Sequence, residues 1–143
     1  MLWNRTRGER EVQPRQQCGR IDWDGILDKY EDDLREELSG RSDWEAGMVF
    51  HSYLHYEVDE VDKTDWEVRF MSDGEKRRVD CIDTQDGVLY DFKTKNQNGM
   101  THAPYDEDIG QLEDYLEALD ADLGFLVYVD RETLELEYYP VLD

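Results

Sequence analysis

The first periodic segment of the chain repeats apolar residues at the spacing of a helix. Between Asp22 and about Gly40 they fall three or four positions apart, which predicts an amphipathic helix that Gly40 can end. Its apolar positions are Ile26, Leu27, Tyr30, Leu34 and Leu38. A second helical segment runs from Trp44 to about Tyr56, with Asp43 ahead of it as the predicted N-cap.

After Glu60 the pattern changes to alternation and short β-rich runs, which predict strands. The five runs are Trp66–Met71, Arg78–Ile82, Val88–Phe92, Phe125–Val129 and Leu134–Val141. A polar loop, Thr94–Asp106, follows the third run and precedes a helix from about Glu107 to Leu119. The predicted order is α, α, β, β, β, α, β, β. A chain of 143 residues without repeats or an evident linker fits one domain.

The second and third strand runs form a predicted β-hairpin around a turn at Asp86-Gly87. Side chains alternate along a strand, so Asp91 and Lys93 share one face. A two-residue turn would place Lys93 opposite Asp80, whereas a four-residue loop, Thr84–Gly87, would pair Asp80 with Asp91. A three-residue loop would separate them. Both even loop lengths therefore bring the two carboxylates and the lysine together.

Two carboxylates beside a lysine suit metal-dependent phosphodiester hydrolysis. Carboxylates hold Mg²⁺ or Mn²⁺ by hard oxygen ligands, and the metal lowers the pKa of a water and neutralises charge on the phosphate. Lys93 would position or deprotonate that water, and desolvation beside the metals can lower the pKa of the lysine. The alternative is a solvated acidic hairpin, because 37 of the residues are Asp or Glu. The apolar residues Val88-Leu89-Tyr90 before Asp91 favour a site instead.

The motifs resemble those of a known superfamily. Asp80 followed by Asp91-x-Lys93 resembles the signature of PD-(D/E)XK nucleases. Gln111-Leu-Glu-Asp-Tyr115 on the next helix resembles the Gln-x-x-x-Tyr motif of the RecB-like and CRISPR-associated exonuclease branch. Gly47-Met-Val-Phe-His51 resembles that branch's Gly-x-x-x-His helix. The four motifs occur in the family's order and span residues 47–115.

The resemblance implies a restriction-endonuclease-like α/β core, in which helices flank a mixed central β-sheet with the metals at one end. It implies a set of metal ligands, which are His51, Asp80, Asp91 and the backbone carbonyl of Phe92, with His55 as an alternate. Lys93 would handle the water, and Gln111 and Tyr115 would line the substrate side. Together the implied catalytic residues are Asp80, Asp91, Lys93, Gln111 and Tyr115.

This chain departs from the family pattern at two points. Asp91 stands where the family often carries Glu, although either carboxylate can bind a hard cation. Many CRISPR-associated members hold an iron–sulfur cluster with four cysteines, and this chain has only Cys18 and Cys81. We expect both to be free thiols, because they lie far apart in sequence and form no CxxC motif.

The charge of the chain is strongly acidic, with 37 Asp and Glu against 16 Lys and Arg, a net charge of −21. A halophilic host, archaeal or viral, explains this charge, because about 1 M salt shortens the Debye length to roughly 3 Å. The rival explanation is an acidic surface that mimics nucleic acid and binds a partner protein.

Residues 1–20 are basic, with five Arg against two Glu. They are either an arm that contacts phosphate or a flexible terminus.

The expected function is a metal-dependent DNA nuclease, of the exonuclease type, whose single nuclease domain covers residues 21–143. The alternatives are a catalytically weak DNA-binding or adaptor module with the same fold, and an acidic protein-binding inhibitor. The expected partners are Mg²⁺ or Mn²⁺, DNA, and a protein of DNA repair, recombination or defence. No apolar stretch approaches the ~20 residues of a membrane span and the N-terminus lacks a signal-peptide core, so we expect a cytoplasmic protein.

Overall fold

The computed structural model describes residues 19–143. Apart from Gly19 and Arg20, the predicted basic arm lies outside the described residues, and so does Cys18. Helices and strands follow in the order α1 (Trp23–Lys29), α2 (Glu31–Leu38), α3 (Asp43–Tyr56), β1 (Thr64–Ser72), β2 (Glu75–Asp83), β3 (Val88–Lys95), α4 (Gln97–Thr101), α5 (Asp106–Ala118), β4 (Leu123–Asp130) and β5 (Leu136–Leu142).

The segment between Asp22 and Gly40 is two helices, not the single predicted helix. The break lies at Tyr30, where φ is −104° and ψ is 17°, so this residue ends α1 and precedes α2. Tertiary contacts hold Tyr30 there, because its ring packs edge-on against Tyr53 and its hydroxyl donates to Glu60 at 2.8 Å. Local periodicity predicts the helical residues but not a bend that packing imposes.

The N-cap of α3 is Ser42 rather than the predicted Asp43. The Ser42 hydroxyl accepts the Glu45 N–H at 3.2 Å, and the Glu45 carboxylate accepts the Ser42 N–H at 3.3 Å. This reciprocal capping box satisfies two of the free donors at the helix start. Asp43 is thereby released to pair with Arg131 at 2.8 Å, which ties α3 to the loop after β4.

The five strands form one sheet in the order β1-β2-β3-β4-β5. The β3–β4 pair is parallel and the other three pairs are antiparallel. This confirms the predicted α/β class with a mixed sheet flanked by helices. The crossover from β3 to β4 carries α5 and also α4, which the sequence predicted only as polar loop. None of the residues of α4 is buried, so no apolar repeat reveals it.

Both faces of the sheet are covered. Helices α1 to α3 pack on one face around Trp23, whose ring meets Tyr90 and Phe92 edge-on at 5.3 and 5.0 Å. Helix α5 packs on the other face through four buried residues, which are Ile109, Leu112, Tyr115 and Leu116. Burying each such side chain contributes roughly 1.5–3 kcal/mol. The two cores fix α3 and α5 on opposite sides of β3.

Across residues 19–143, no helix has the length and apolar character that crossing a membrane requires.

Candidate active site

The hairpin between β2 and β3 has the four-residue loop, Thr84–Gly87. Gly87 adopts φ +71°, which glycine reaches without strain, and its N–H donates to the Asp83 carbonyl at 2.7 Å. The register pairs Asp83 with Val88, Ile82 with Leu89, and Cys81 with Tyr90. The next position in this register sets Asp80 against Asp91 on one face.

The paired ladder between β2 and β3 ends at Cys81 and Tyr90, and the strands diverge there. In place of a backbone partner, the Phe92 N–H donates to Asp80 Oδ2 at 2.8 Å. The Asp80 carboxylate therefore lies between the two strands, 8% exposed, where the sheet opens into a cleft.

Strand β2 turns away because the β1–β2 hairpin twists at the level of Asp80. Glu67, inside β1, adopts φ +51°, a left-handed conformation that costs a non-glycine residue about 1 kcal/mol. Before this point Trp66 packs with the core of α1 to α3, whereas Val68, after it, packs with the core of α5. The far end of the hairpin thus leans toward α5 and leaves β3 exposed to the cleft.

Helix α3 brings His51 to the opened strand. A Cβ on Gly47 would lie 3.1 Å from Thr94 Oγ1, so the glycine allows α3 to pack closely against β3. One helical turn further on, His51 Nε2 lies 3.3 Å from the Phe92 carbonyl oxygen and 3.4 Å from Asp80 Oδ2. This contact gives the Gly-x-x-x-His spacing a physical role.

Lys93 completes the group from the next position on the same face of β3. Its Nζ lies 3.4 Å from Asp91 Oδ1 and donates to Gln111 Oε1 at 3.2 Å. The predicted residues His51, Asp80, Asp91, Lys93 and Gln111 are therefore gathered from α3, β2, β3 and α5.

Nearby positive charge does not fully compensate the buried carboxyl groups of Asp80 and Asp91. Burial, and then repulsion from Asp80, raises the pKa of Asp91 to about 8. Burial also raises the pKa of Asp80, although a hydrogen bond with Asp91, and then the Phe92 N–H and Lys93, partly oppose it. Asp91 Oδ2 is buried and has no hydrogen-bond partner within the described part of the chain. With only the charges of the chain, the pair thus retains a proton near neutral pH.

These donors fit a hard divalent cation in their chemistry. Two carboxylates, an imidazole and a backbone carbonyl suit Mg²⁺ or Mn²⁺, and the orphaned Asp91 Oδ2 supplies an oxygen that a cation could use. Burial lowers the pKa of His51, which keeps the imidazole neutral, as a ligand must be. Residues 19–143 nevertheless contain no preformed group of three or more His, Cys, Asp and Glu side chains that could hold a metal ion.

Lys93 does not have the lowered pKa that desolvation alone would produce. Burial lowers its pKa, but Asp91, Asp108 and Asp80 together raise it more, so the net direction is upward. Tyr128 holds Asp108 in place with a 2.7 Å hydrogen bond. Lys93 is therefore protonated in the surroundings that the chain alone provides.

Tyr115 lines the same cleft but contacts the hairpin rather than the lysine. It lies one turn beyond Gln111 on α5, and its ring meets Phe70 edge-on at 5.2 Å.

His55, the alternate ligand, is not brought to the site. Its ring stacks on Trp66 at 5.7 Å, and it does not line the cleft.

Asp83 faces away from Asp80, as strand alternation predicts, but it is not an idle surface residue. It is fully buried, and Arg20 contacts both of its carboxylate oxygens at 3.2 and 3.1 Å. It also accepts the Gln85 N–H at 2.9 Å, which fixes the hairpin loop. Asp83 is thus a structural residue.

The cleft above these groups has a volume of about 910 Å³ and lies between α3, α5 and the β1–β2 hairpin. Sequence reasoning missed two features of its walls. One is the cationic run Lys76-Arg77-Arg78, which is conspicuous in an acidic chain, and the other is the exposed Trp44 at the start of α3. Both signals were visible in the sequence.

Comparison with known proteins adds a likeness of fold. No family model matches the chain, and no curated protein matches it. The solved crystal structure of SSO0001 matches with a TM-score of 0.57 and 19% sequence identity, over 82% of this chain. This chain spans 60% of the length of SSO0001. At that identity the two proteins share a fold, and the likeness reaches no further.

Proposed function

We propose that this protein is a divalent-metal-dependent nuclease of the PD-(D/E)XK type, with a restriction-endonuclease-like core. The observation that carries the proposal is the buried Asp80–Asp91 pair, which has an orphaned oxygen and a lysine 3.4 Å away, at the base of a cleft. Buried like charges with perturbed pKa values, placed in a cleft, are typical of functional sites.

Asp80, Asp91, the Phe92 carbonyl and His51 would hold the cation. His51 Nε2 already lies 3.3 Å from the Phe92 oxygen and 3.4 Å from Asp80 Oδ2. Ligands around a Mg²⁺ ion with bonds of ~2.1 Å are spaced by roughly 3 Å, so a small shift would suffice. When bound, the metal supplies charge neutralisation at the phosphate and a lowered pKa for water.

Lys93 would act through its protonated Nζ. Asp91 and Gln111 hold this atom at the edge of the cleft, and its raised pKa favours the ammonium form. An ammonium group orients a water and donates to a phosphate oxygen, whereas a general base must first lose its proton. The chain's own charges therefore favour the positioning role over deprotonation.

Gln111 and Tyr115 would support the site without touching the metal. Gln111 Oε1 accepts from Lys93 Nζ, which fixes the lysine side chain. Tyr115 packs on Phe70 and so holds the β1–β2 hairpin beside α5. The resemblance further implies DNA as substrate and a partner in DNA repair, recombination or defence. A cytoplasmic location stays the expectation from the apolar pattern of the sequence.

The first alternative is a catalytically weak DNA-binding module with the same fold. Such a module would bind DNA without turnover. An acidic inhibitor, the other alternative, would be indifferent to divalent metal.

The deciding experiment incubates the full chain with labelled linear and circular DNA at molar KCl, with Mg²⁺, Mn²⁺ or EDTA. We expect cleavage with metal, none in EDTA, and none after Asp91→Asn. Asp86→Asn is the matched control, because Asp86 is exposed in the loop of the same hairpin. Asp91→Asn cleaving like wild type, or no cleavage by wild type with either metal, would overturn the proposal.

A further inference from the structure

The positive charge of the described chain is concentrated at one place. Of the 16 Lys and Arg residues, four precede residue 19, so 12 lie in the described part. Six of these 12 line the cleft, namely Arg69, Lys76, Arg77, Arg78, Lys93 and Lys95. Only three acids line it, Asp43, Asp80 and Asp91, although 35 of the 37 Asp and Glu residues lie in residues 19–143. The cleft is therefore cationic on a protein that is otherwise strongly anionic.

Four of these cations form a wall on the β1–β2 hairpin. We call Arg69, Lys76, Arg77 and Arg78 the cationic wall, and all four are exposed. Within residues 19–143, Arg77 pairs with Glu75 and Arg78 with Glu67, whereas no ion pair joins Arg69 or Lys76 to an acid. The wall thus keeps charge available for a polyanion.

The mouth of the cleft also carries exposed apolar side chains. Trp44 is 74% exposed, Met48 51% and Met71 60%, and all three line the cleft. We call these three residues the rim. Trp44, Met48 and His51 are spaced i, i+4 and i+7 on α3, so they share one face of the helix. Exposed large apolar groups gathered beside a charged cleft mark a binding surface.

We propose that the rim binds an unpaired base, with Trp44 as its stacking platform, while the cationic wall contacts the phosphates. This inference rests on the proposed function, since it takes the cleft to be the place where nucleic acid binds. In a duplex the faces of internal bases are covered by their neighbours. A flat exposed ring can stack on a base only where the strand is single or frayed.

The position of Trp44 fits this role. It lies seven residues before His51 on one helix face, about 10 Å along the helix axis at 1.5 Å per residue. A strand stacked at the rim would therefore run along α3 toward the group of His51, Asp80 and Lys93. The cationic wall borders the same cleft from the hairpin side.

The positive charge of the cleft favours nucleic acid over a protein as the partner that binds there. A protein seated on three apolar residues would not require six cations around them, whereas a nucleic-acid strand presents bases and phosphates together. Stacking also has an advantage in concentrated salt, because phosphate contacts weaken as salt rises and apolar contacts do not.

The test measures binding of the full-length protein in EDTA, so that no cleavage is needed. The probes are a fluorescein-labelled 20-mer of thymidylate, an abasic strand of equal length, and a blunt hairpin duplex closed by a base-free glycol linker, with the same number of phosphates. The variants are Trp44→Ala, Trp44→Phe and the matched control Tyr56→Ala, since Tyr56 is 70% exposed on the same helix but outside the cleft. Fluorescence anisotropy gives each Kd at a salt concentration where circular dichroism shows all the variants folded.

We expect Trp44→Ala to weaken binding of the thymidylate strand about tenfold and to leave the abasic strand and the duplex within twofold. Trp44→Phe should restore most of the affinity, and Tyr56→Ala should match wild type. Equal Kd values for Trp44→Ala and wild type, or equal losses on the abasic strand, would overturn the inference. Failure of wild type to bind the thymidylate strand would also overturn it and favour a protein as occupant.

The two proposals fail separately. Binding in EDTA that depends on Trp44, without cleavage in Mg²⁺, would refute the proposed nuclease activity and support base binding at the rim. Metal-dependent cleavage that depends on Asp91, with unchanged binding in Trp44→Ala, would refute base binding at the rim and support the nuclease activity.

Discussion

The Asp80 carboxylate accepts the Phe92 N–H at 2.8 Å, at the point where strands β2 and β3 stop pairing. This bond lets the sheet open without leaving a buried N–H unsatisfied, which would cost about 1–3 kcal/mol. The opened strand then presents the Phe92 carbonyl to His51 and the Asp91 and Lys93 side chains to the cleft. Asp80 is thus a structural acceptor as well as a candidate ligand.

Asp91→Asn should stabilise the protein in EDTA at alkaline pH. An Asp pKa raised to about 8 means that the folded chain holds a proton which the unfolded chain releases near pH 4. The stability from this group is complete below about pH 4 and is lost as pH rises toward and through 8. Asparagine needs no proton, so the Tm of Asp91→Asn should exceed that of wild type by about 3 °C at pH 8.5.

The same comparison at pH 5 provides the internal control, because Asp91 is then protonated in the folded state and the difference should shrink to about 1 °C or less. Asp86→Asn should track wild type at both pH values. An Asp91→Asn variant less stable than wild type at pH 8.5 would mean that Asp91 is a well-compensated ionised residue.

Lys93→Met should abolish turnover while the fold and metal binding persist. The ammonium is not a ligand in this scheme, so Mn²⁺ affinity should change by less than about threefold, while the cleavage rate should fall at least about 100-fold. Lys63→Met is the control, because Lys63 is exposed and its Nζ donates to Gln85 in the hairpin loop, outside the cleft. Initial rates on linear DNA and Mn²⁺ titration calorimetry measure the two effects. Wild-type rates from Lys93→Met would remove the lysine from the mechanism.

His51→Ala and His55→Ala form a matched pair one helical turn apart. His51 Nε2 lies beside Asp80 and the Phe92 carbonyl, whereas the His55 ring is stacked on Trp66 outside the cleft. His51→Ala should weaken Mn²⁺ binding by about tenfold, as loss of one ligand among several does. His55→Ala should bind Mn²⁺ like wild type. An equal loss in both variants would show a general effect on α3 rather than ligation.

Asp83→Ala should unfold more easily, because its removal leaves the Arg20 guanidinium without its buried partner. Asp83 is fully buried, while the Arg20 side chain is 23% exposed, so we expect about 2 kcal/mol rather than the full cost of a buried pair. This corresponds to a fall in Tm of roughly 8 °C. Thermal denaturation measures it, with Asp86→Ala as control. An unchanged Tm would show that Arg20 finds enough compensation in Asp62.

The sequence predicted which side chains share a face in the candidate site, but it did not predict where α1 ends and α2 begins. Strand alternation and an even loop length are enough to bring Asp80, Asp91 and Lys93 to one face, because these are local rules of geometry. The break at Tyr30 comes from contacts with Tyr53 and Glu60 that are distant in sequence.

The opening of the sheet between β2 and β3 also depends on contacts that are distant in sequence, so it could not be predicted. Glu67 adopts a left-handed conformation, which glutamate rarely does. The two halves of the β1–β2 hairpin also pack against different cores, one with α1 to α3 and the other with α5. The upward shift of the Lys93 pKa in the chain alone could not be predicted, because sequence position does not reveal that Asp108 lies near it. The fall in this pKa expected beside bound metals stays a prediction.

Stability should rise with salt, because the charge outside the cleft is almost all of one sign. In residues 19–143, 32 acids and six cations lie away from the cleft. Their mutual repulsion opposes the compact state in dilute buffer, where the Debye length is ~30 Å at 0.01 M, and is nearly screened at 1 M, where it is ~3 Å. Far-UV circular dichroism melts from 20 mM to about 2 M KCl should therefore show a Tm that rises by at least about 10 °C. Glucose at matched osmolality is the control, since it is uncharged and cannot screen. If the Tm is flat in KCl, or rises as much in glucose, charge repulsion does not limit stability and adaptation to a saline host loses its physical basis.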